Sequence, residues 1–360
     1  MCVAATGSAG PAEEIDKATG SELKFVGINW VYSLVADVDI DPKNPGIGVR
    51  SFGDGEATPD PVVVSFTSLI DPTRVGEFTC ATKHGLTTSG IAPSAKHFPG
   101  HGDTHVDSHI GLPRILKSLD ELRQVELVPF RSLIAADVAT IMTGHMALPK
   151  ITGSDIPCSL SRDITTALLR KDLGFEGVVV TDCLEMNAIS QSYGVGNGAL
   201  MALNAGADII MVCHSPAEQK GAVGVVREAV SSGALTLDSL RQSQRRIARL
   251  KSQFTGSWSD VLDPVFYSGK VSQLRTENAE LSARAYSAST TLVTDPTRIL
   301  PVLKGDAVVL FTPGNASHGG AVDDANKAPL PMCYSPPRFP IEPQACTTRF
   351  TRRTTSSPKR

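Results

Sequence analysis

The sequence predicts an α/β fold in which βα units feed a parallel sheet, and three observations carry that prediction. Short β-rich apolar runs alternate with longer stretches of helical periodicity through the middle of the chain, as in parallel strands joined by crossover helices. The helical stretches are punctuated by capping residues at their starts and glycines at their stops, which fixes where each unit begins and ends. The strand runs terminate, one after another, in ionisable residues, whereas packing alone asks for apolar ones.

The elements follow in order. A helical stretch at Glu14–Leu23 precedes the first strand, Ile28–Val38 (INWVYSLVADV), and the second strand is Ile91–Phe98 (IAPSAKHF). A helix at Leu119–Ala136 starts on Ser118-Leu119-Asp120-Glu121, a capping box in which hydroxyl and carboxylate each satisfy an orphan amide. The third strand is Ala139–His145. Ser161 is expected to cap a helix through Leu173, with Gly174 as its left-handed stop, before the fourth strand, Gly177–Thr181. Helix Ala199–Ala205, stopped at Gly206, feeds the fifth strand, Asp208–Cys213. Ser215-Pro216 opens a helix to about Ser231, and Leu237–Phe254 reads as another.

Other segments break this rhythm. Gly53–Gly85 carries Pro59, Pro61 and Pro72 around an apolar VVVSF run, where a crossover helix belongs, and is expected to be an atypical insertion. Residues 255–304 read as a linker with one helix (Arg275–Ser287), 305–314 as the opening of a second α/β domain, and 315–360, rich in Pro, Ser, Thr and Arg, as a disordered tail.

Composition excludes several function classes. In 360 residues, 41% hydrophobic and 20% charged side chains supply a real core. Against 37 acidic residues, 34 basic ones leave no excess to hold a phosphate backbone, so nucleic acid is not an expected partner. No apolar run reaches the roughly 20 residues of a bilayer crossing, so no membrane association is expected. The 7 cysteines are scattered without a C-x-x-C pair, which points to neither a disulfide framework nor a zinc ribbon and makes a reducing, cytoplasmic location the expectation.

In a parallel barrel, functional groups gather at the C-terminal strand ends. Here those ends are Asp37, Lys96-His97, His145, Asp182 and His214, which makes Asp37 and His145 candidates for substrate binding beside the stronger ones below. The densest constellation is KHFPGHGDTHVDSH, with His97, His101, His105 and His109 four apart. On a helix that stripe could ligate zinc, but Pro99, Gly100 and Gly102 argue against a helix. The segment is read instead as a glycine-hinged loop over the mouth, with no metal ligands assigned. Within it Asp107 can orient and charge-tune His109 across the small Ser108, giving an imidazole suited to general acid/base work near neutral pH. Asp182, closing GVVVTD beside Lys96 and Arg50, is expected to stay ionised, as a nucleophile must.

The runs GINWVYSLVADVDIDPKNPGIGVRSFGD (Gly27–Asp54), IAPSAKHFPGHGDTHVDSH (Ile91–His109) and GFEGVVVTDCLEM (Gly174–Met186) resemble the β-N-acetylglucosaminidase branch of glycoside hydrolase family three. K-H-F-P-G-H-G followed by D-S-H is specific to that branch. The resemblance implies a (β/α)8 TIM barrel, with Asp182 as the nucleophile that forms a glycosyl-enzyme, His109 as acid/base and Asp107 as its partner. It implies that Arg50, Lys96 and His97 hold the sugar hydroxyls, that the substrate is a terminal β-linked N-acetylglucosaminide, and that no cofactor is used. Some relatives with this dyad are thought to use phosphate as acceptor, which leaves phosphorolysis as an alternative. Measured against the family pattern, the barrel is expected to be incomplete, lacking its first two strands and the sugar-binding aspartate of an Asp-Gln-Glu-Gly-Gly run. An inactive remnant or a sugar-binding pseudoenzyme is therefore a further alternative.

Overall fold

The computed structural model describes residues 2–53, 71–257, 259 and 269–291. Its sheet has five parallel strands in sequential order, β1 (Trp30–Val31), β2 (Ala92–Phe98), β3 (Thr140–Thr143), β4 (Val178–Cys183) and β5 (Ile209–Met211). Sequential parallel order with helical crossovers is the topology of an arc of a βα barrel. The described strands form that arc, with β1 and β5 at its edges.

The first strand is much shorter than Ile28–Val38. Leu34 sits at φ +89°, a conformation costly for a residue with a Cβ, and the ladder breaks there. Pairing resumes from the Leu34 carbonyl, which accepts from Lys96 N at 2.9 Å, and Ala36 N donates to Lys96 O at 2.7 Å.

Helix α1 (Gly10–Phe25) packs along α2 (Pro72–Thr88). The stretch 53–85, expected as an insertion, therefore divides: from Pro72 it is an ordinary crossover helix, while 54–70 lie outside the described residues. Pro72 does not break α2 because it occupies the first turn, where its missing N–H has no partner to lose, and Asp71 caps the end by accepting from Thr73 N. Gly85 lets α1 and α2 touch, since a Cβ there would lie 2.4 Å from Glu13 O.

The helix expected at Leu119–Ala136 is two helices, α3 (Leu119–Gln124), with its capping box in place, and α4 (Leu127–Ala135). Pro129 explains the break: within one long helix it would forfeit the bond to the Val125 carbonyl and crowd it, whereas in α4 it falls in the first turn. The break also turns Glu126 inward to meet Lys117 Nζ at 2.5 Å. After the short α5 (Pro149–Thr152), a wide helix closed by i→i+5 bonds spans Asp163–Asp172. Its N-cap is Arg162, without a side-chain bond, and not Ser161 as expected. The residue pattern marked the turn, but Ser161 serves it through its carbonyl, which accepts from Thr165 N at 2.9 Å.

Beyond β4 come α6 (Asn187–Ser190), α7 (Val195–Ala205), α8 (Pro216–Ser232), α9 (Leu237–Phe254) and α10 (Lys270–Ser289). Gly174 and Gly206 take the left-handed stops expected of them, at φ +71° and +110°. The 305–314 and 315–360 segments lie outside the described residues.

The core has two parts. Ala95, Ile141 and Val179 face a large cluster that includes Phe98, Phe130, Leu133, Leu168 and Leu169, the packing of sheet on helices. A smaller cluster joins Ala92 and Val178 with Leu250, and Trp30, Ile209, Ile247 and Phe254 pack against it.

At the N-terminal end of β5, Asp208 ties these layers together. Its buried carboxylate accepts from Arg246 (2.7 Å), Arg170 (2.6 Å), Ser243 Oγ (2.7 Å) and Val179 N (2.9 Å). Removing one side of such a pair leaves uncompensated charge in a poorly solvated place. Asp208→Asn is expected to cost about 3–5 kcal/mol in urea-induced unfolding; a change below about 1 kcal/mol would show that the network is solvated and not structural.

Candidate active site

The site is built at the C-terminal strand ends, which the parallel order brings side by side. Asp37 lies at its floor with no exposed surface. One carboxylate receives His97 N on both oxygens at 3.1 Å, His97 Nδ1 at 2.8 Å and His101 N at 2.7 Å. Burial works to raise the Asp37 pKa, but His97, His101 and these bonds outweigh it and hold the group below the ordinary carboxylate value. Because Nδ1 of His97 donates to Asp37, Nε2 is turned outward, where it lies 3.9 Å from Asp182 Oδ2.

Asp182 lies near the end of β4 with one oxygen accepting from Cys183 N at 2.7 Å. Burial again pushes its pKa up; His97, His145, the Cys183 amide and Lys96 together push it further down, so the carboxylate is ionised. Lys96 is affected oppositely: burial, then the neighbouring Arg50, lower its pKa, and Asp182 and Asp37 resist. Arg50 is aimed by a bond from Nη1 to Gly46 O at 2.7 Å. Of the residues expected at the site, Asp182 and His97 thus meet at 3.9 Å, and Lys96, beside His97 on β2, feels both Arg50 and Asp182.

Asp37 and His145, expected to bind substrate, are placed differently. Asp37 spends its carboxylate on His97 and the His101 amide. His145 is fully buried, with Nδ1 2.8 Å from Ser159 Oγ and Nε2 3.0 Å from Cys183 O. A carbonyl only accepts, so Nε2 carries the proton and Nδ1 accepts from the serine hydroxyl. Burial first lowers the His145 pKa and keeps the ring neutral. Asp37 thus holds His97, and His145 holds the Cys183 carbonyl. Polarity at a strand end marks the mouth but does not say which way the side chain is spent.

The dyad is formed. His109 Nδ1 lies 2.7 Å from Asp107 Oδ1, and His109 N donates to the same oxygen at 2.9 Å. Asp107 therefore holds the proton on Nδ1 and leaves Nε2 for chemistry, on a side chain 37% exposed. The segment that carries the dyad is bonded to the chain that follows Asp182, Ala188 N donating to Ser108 O at 3.4 Å.

Residues 99–113 contain no helix, so the four histidines do not align on one face. His97 and His101 are buried, whereas His105 is largely exposed beside Asp41 (3.7 Å). Gly102 is required by contact: a Cβ would lie 1.6 Å from Val38 O. Asn44, which the sequence reading passed over, locks that contact by donating Nδ2 to His101 O at 2.7 Å. Its signal was only an ordinary D-P-K-N turn.

A second cluster was also missed. Cys183, Glu185 and His214 bring ligand atoms within 4.8 Å of one another. Glu185 accepts from Cys213 N (2.7 Å), His214 N (2.6 Å) and Ser215 N (2.8 Å), and burial pushes the Cys183 thiol up to about 12. The carboxylate pins the chain after β5 to the chain after β4 through these amides.

One consequence concerns pH. Burial and then His97 push His101 down to about 4 from 6.5. As pH falls through that interval the unfolded chain takes a proton that the folded ring refuses, so stability present above pH 6.5 is lost toward pH 4. The melting temperature is expected to fall across this window; a flat profile there would contradict a buried neutral His101.

Residues 1–250 match the model of the glycosyl hydrolase family 3 N terminal domain. Beta-hexosaminidase A of Pseudoalteromonas piscicida is 33% identical over 294 residues, covering 76% of this chain and 46% of that protein. A structure of a fungal multi-domain GH3 beta-N-acetylglucosaminidase superposes with TM-score 0.76 at 39% identity, covering 84% of this chain and 34% of the other. A glycoside hydrolase family 3 beta-N-acetylglucosaminidase from Paenibacillus sp. str. FPU-7 gives TM-score 0.69 at 37% identity, covering 80% and 51%. The chain thus spans about half or less of the length of these relatives.

Proposed function

The chain belongs to glycosyl hydrolase family 3 through its N-terminal domain, and from that premise we propose that it removes terminal β-linked N-acetylglucosamine by a retaining, two-step mechanism. The observation that carries the reading is the pairing of an ionised Asp182 in contact with His97 and an Asp107-oriented His109 on a segment bonded to the chain that follows Asp182. The hexosaminidase names of the relatives support the substrate class.

In the first step the Asp182 carboxylate attacks the anomeric carbon. The bond to the leaving oxygen breaks as His109 Nε2–H protonates it, and the imidazolium so discharged becomes a neutral base. In the second step that Nε2 takes a proton from water, whose oxygen displaces Asp182 and releases the sugar. Asp107 holds the ring tautomer throughout. Lys96, Arg50 and His97 hold the sugar hydroxyls, His97 in the orientation that Asp37 imposes.

The test is release of N-acetylglucosamine from a chromogenic β-N-acetylglucosaminide by the full chain, with and without inorganic phosphate. Free sugar supports hydrolysis. Sugar 1-phosphate formed only with phosphate replaces hydrolysis by phosphorolysis. No product in either condition, from a chain that melts cooperatively, overturns the activity in favour of a non-catalytic sugar binder.

A further inference from the structure

The segment carrying the dyad is poorly anchored for one that must place a proton to within a fraction of an ångström. His105 and Ile110 are largely exposed, and the turn 107–111 is closed mainly on itself, with Ile110 N and Gly111 N both donating to Asp107 O. Among the described residues, three hydrogen bonds or ion pairs leave Thr104–Gly111 for the rest of the protein. One is the exposed His105–Asp41 contact at 3.7 Å. The other two belong to Ser108: its Oγ lies 3.3 Å from His101 Nε2, and its carbonyl accepts from Ala188 N at 3.4 Å.

Ser108 is buried although both its neighbours carry the chemistry. His101 is buried too, and it is held hard: its amide donates to Asp37 at 2.7 Å, its carbonyl accepts from Asn44 at 2.7 Å, and its ring meets His97 edge-on at 5.8 Å. Its Nδ1 is buried without a partner. A bare lone pair is tolerated there better than an orphaned N–H, so the ring proton belongs on Nε2, which donates to Ser108 Oγ.

From this geometry we infer that His101 and Ser108 form a clasp that positions the Asp107–His109 dyad, so that the buried Asp37 fixes both halves of the site, His97 directly and the dyad through His101. Neither residue touches the reacting atoms; both are positioning residues. The inference rests on the acid/base role proposed above for His109. Ala188, in the chain that follows Asp182, closes the clasp from the nucleophile's side.

Ser108→Ala removes the clasp and keeps every group of the dyad. Two substrates read it in the full chain: N,N′-diacetylchitobiose, whose leaving sugar needs a proton, and a dinitrophenyl N-acetylglucosaminide, whose leaving group does not. Displacement of the acid by a fraction of an ångström is expected to lower kcat/KM, which reports the first step alone, by about 10- to 100-fold on the disaccharide, with about threefold or less on the aryl glycoside. Added to His109→Ala, the substitution is expected to change neither rate further, since it acts through His109. Equal losses on both substrates, or losses that multiply in the double variant, would overturn the clasp.

A second readout needs no activity. In Ser108→Ala, amide hydrogen exchange at His109, Ile110 and Gly111 is expected to speed up about tenfold or more while exchange in β2 and β4 is unchanged. If the parent chain hydrolyses neither substrate, the proposed function fails and the clasp is judged by exchange alone: faster exchange confined to that turn upholds it, and unchanged exchange sinks it.

Discussion

Asp182→Asn abolishes turnover of N-acetylglucosaminides if the proposed mechanism holds, with kcat expected to drop on the order of 10⁴- to 10⁶-fold, the range seen when a nucleophile that acts as part of a unit is removed. Asparagine has the shape of aspartate and can still accept from Cys183 N, so the bond at 2.7 Å survives and the fold is not at issue. What is lost is the negative charge that His97, the Cys183 amide and Lys96 sustain against burial. An amide oxygen is a poor nucleophile and a worse leaving group for the second step. A slow substrate is expected to leave a covalent sugar on Asp182 in the parent, seen in the intact mass, and none in the variant. A variant retaining a tenth of parental activity would mean that the carboxylate is not the nucleophile.

The second large effect divides by substrate. His109→Ala removes a general acid worth about 10²- to 10⁴-fold, but only where the departing oxygen needs a proton. On the unactivated disaccharide the loss is expected in full. On a dinitrophenyl glycoside glycosylation proceeds, and the loss shifts to the second step, where water must be deprotonated; steady-state turnover then shows a burst of phenolate followed by a slow phase. Asp107→Asn is expected to fall between, since the 2.7 Å partner that holds the proton on Nδ1 becomes a neutral amide. Equal losses on both substrates with no burst would sink the acid role of His109.

These outcomes depend on features of unequal legibility. The βα alternation, the stops at Gly174 and Gly206 and the capping box at Ser118 were readable because each is short-range: a helix stop needs one residue at positive φ, and a cap needs a hydroxyl within three residues of the amide it satisfies. The dyad was readable for the same reason, as Asp107 and His109 are two positions apart and bond directly. The strand-end position of Asp182 followed from the strand pattern that leads into it.

What failed to show in the sequence was longer in reach. The break after α3 turns on where Pro129 could be tolerated, and the inward turn of Glu126 turns on Lys117 being there to meet it. Leu34 holds a positive φ that no residue pattern announces for leucine. His101 looked like a loop residue of a glycine-rich run, and Ser108 like a spacer.

The sequence by itself determined the class of fold, the order of its parallel strands and the identity of the groups that can do chemistry. Only the tertiary structure decided how those groups are spent: that Asp37 is a support held against His97 across 60 residues, that His145 reaches 38 residues to the Cys183 carbonyl, and that Asp208 gathers Arg246 from 38 residues away. The physical reason is that a buried polar group must find a partner. Which partner it finds is set by the strands that the sheet lays side by side, not by its neighbours in the chain.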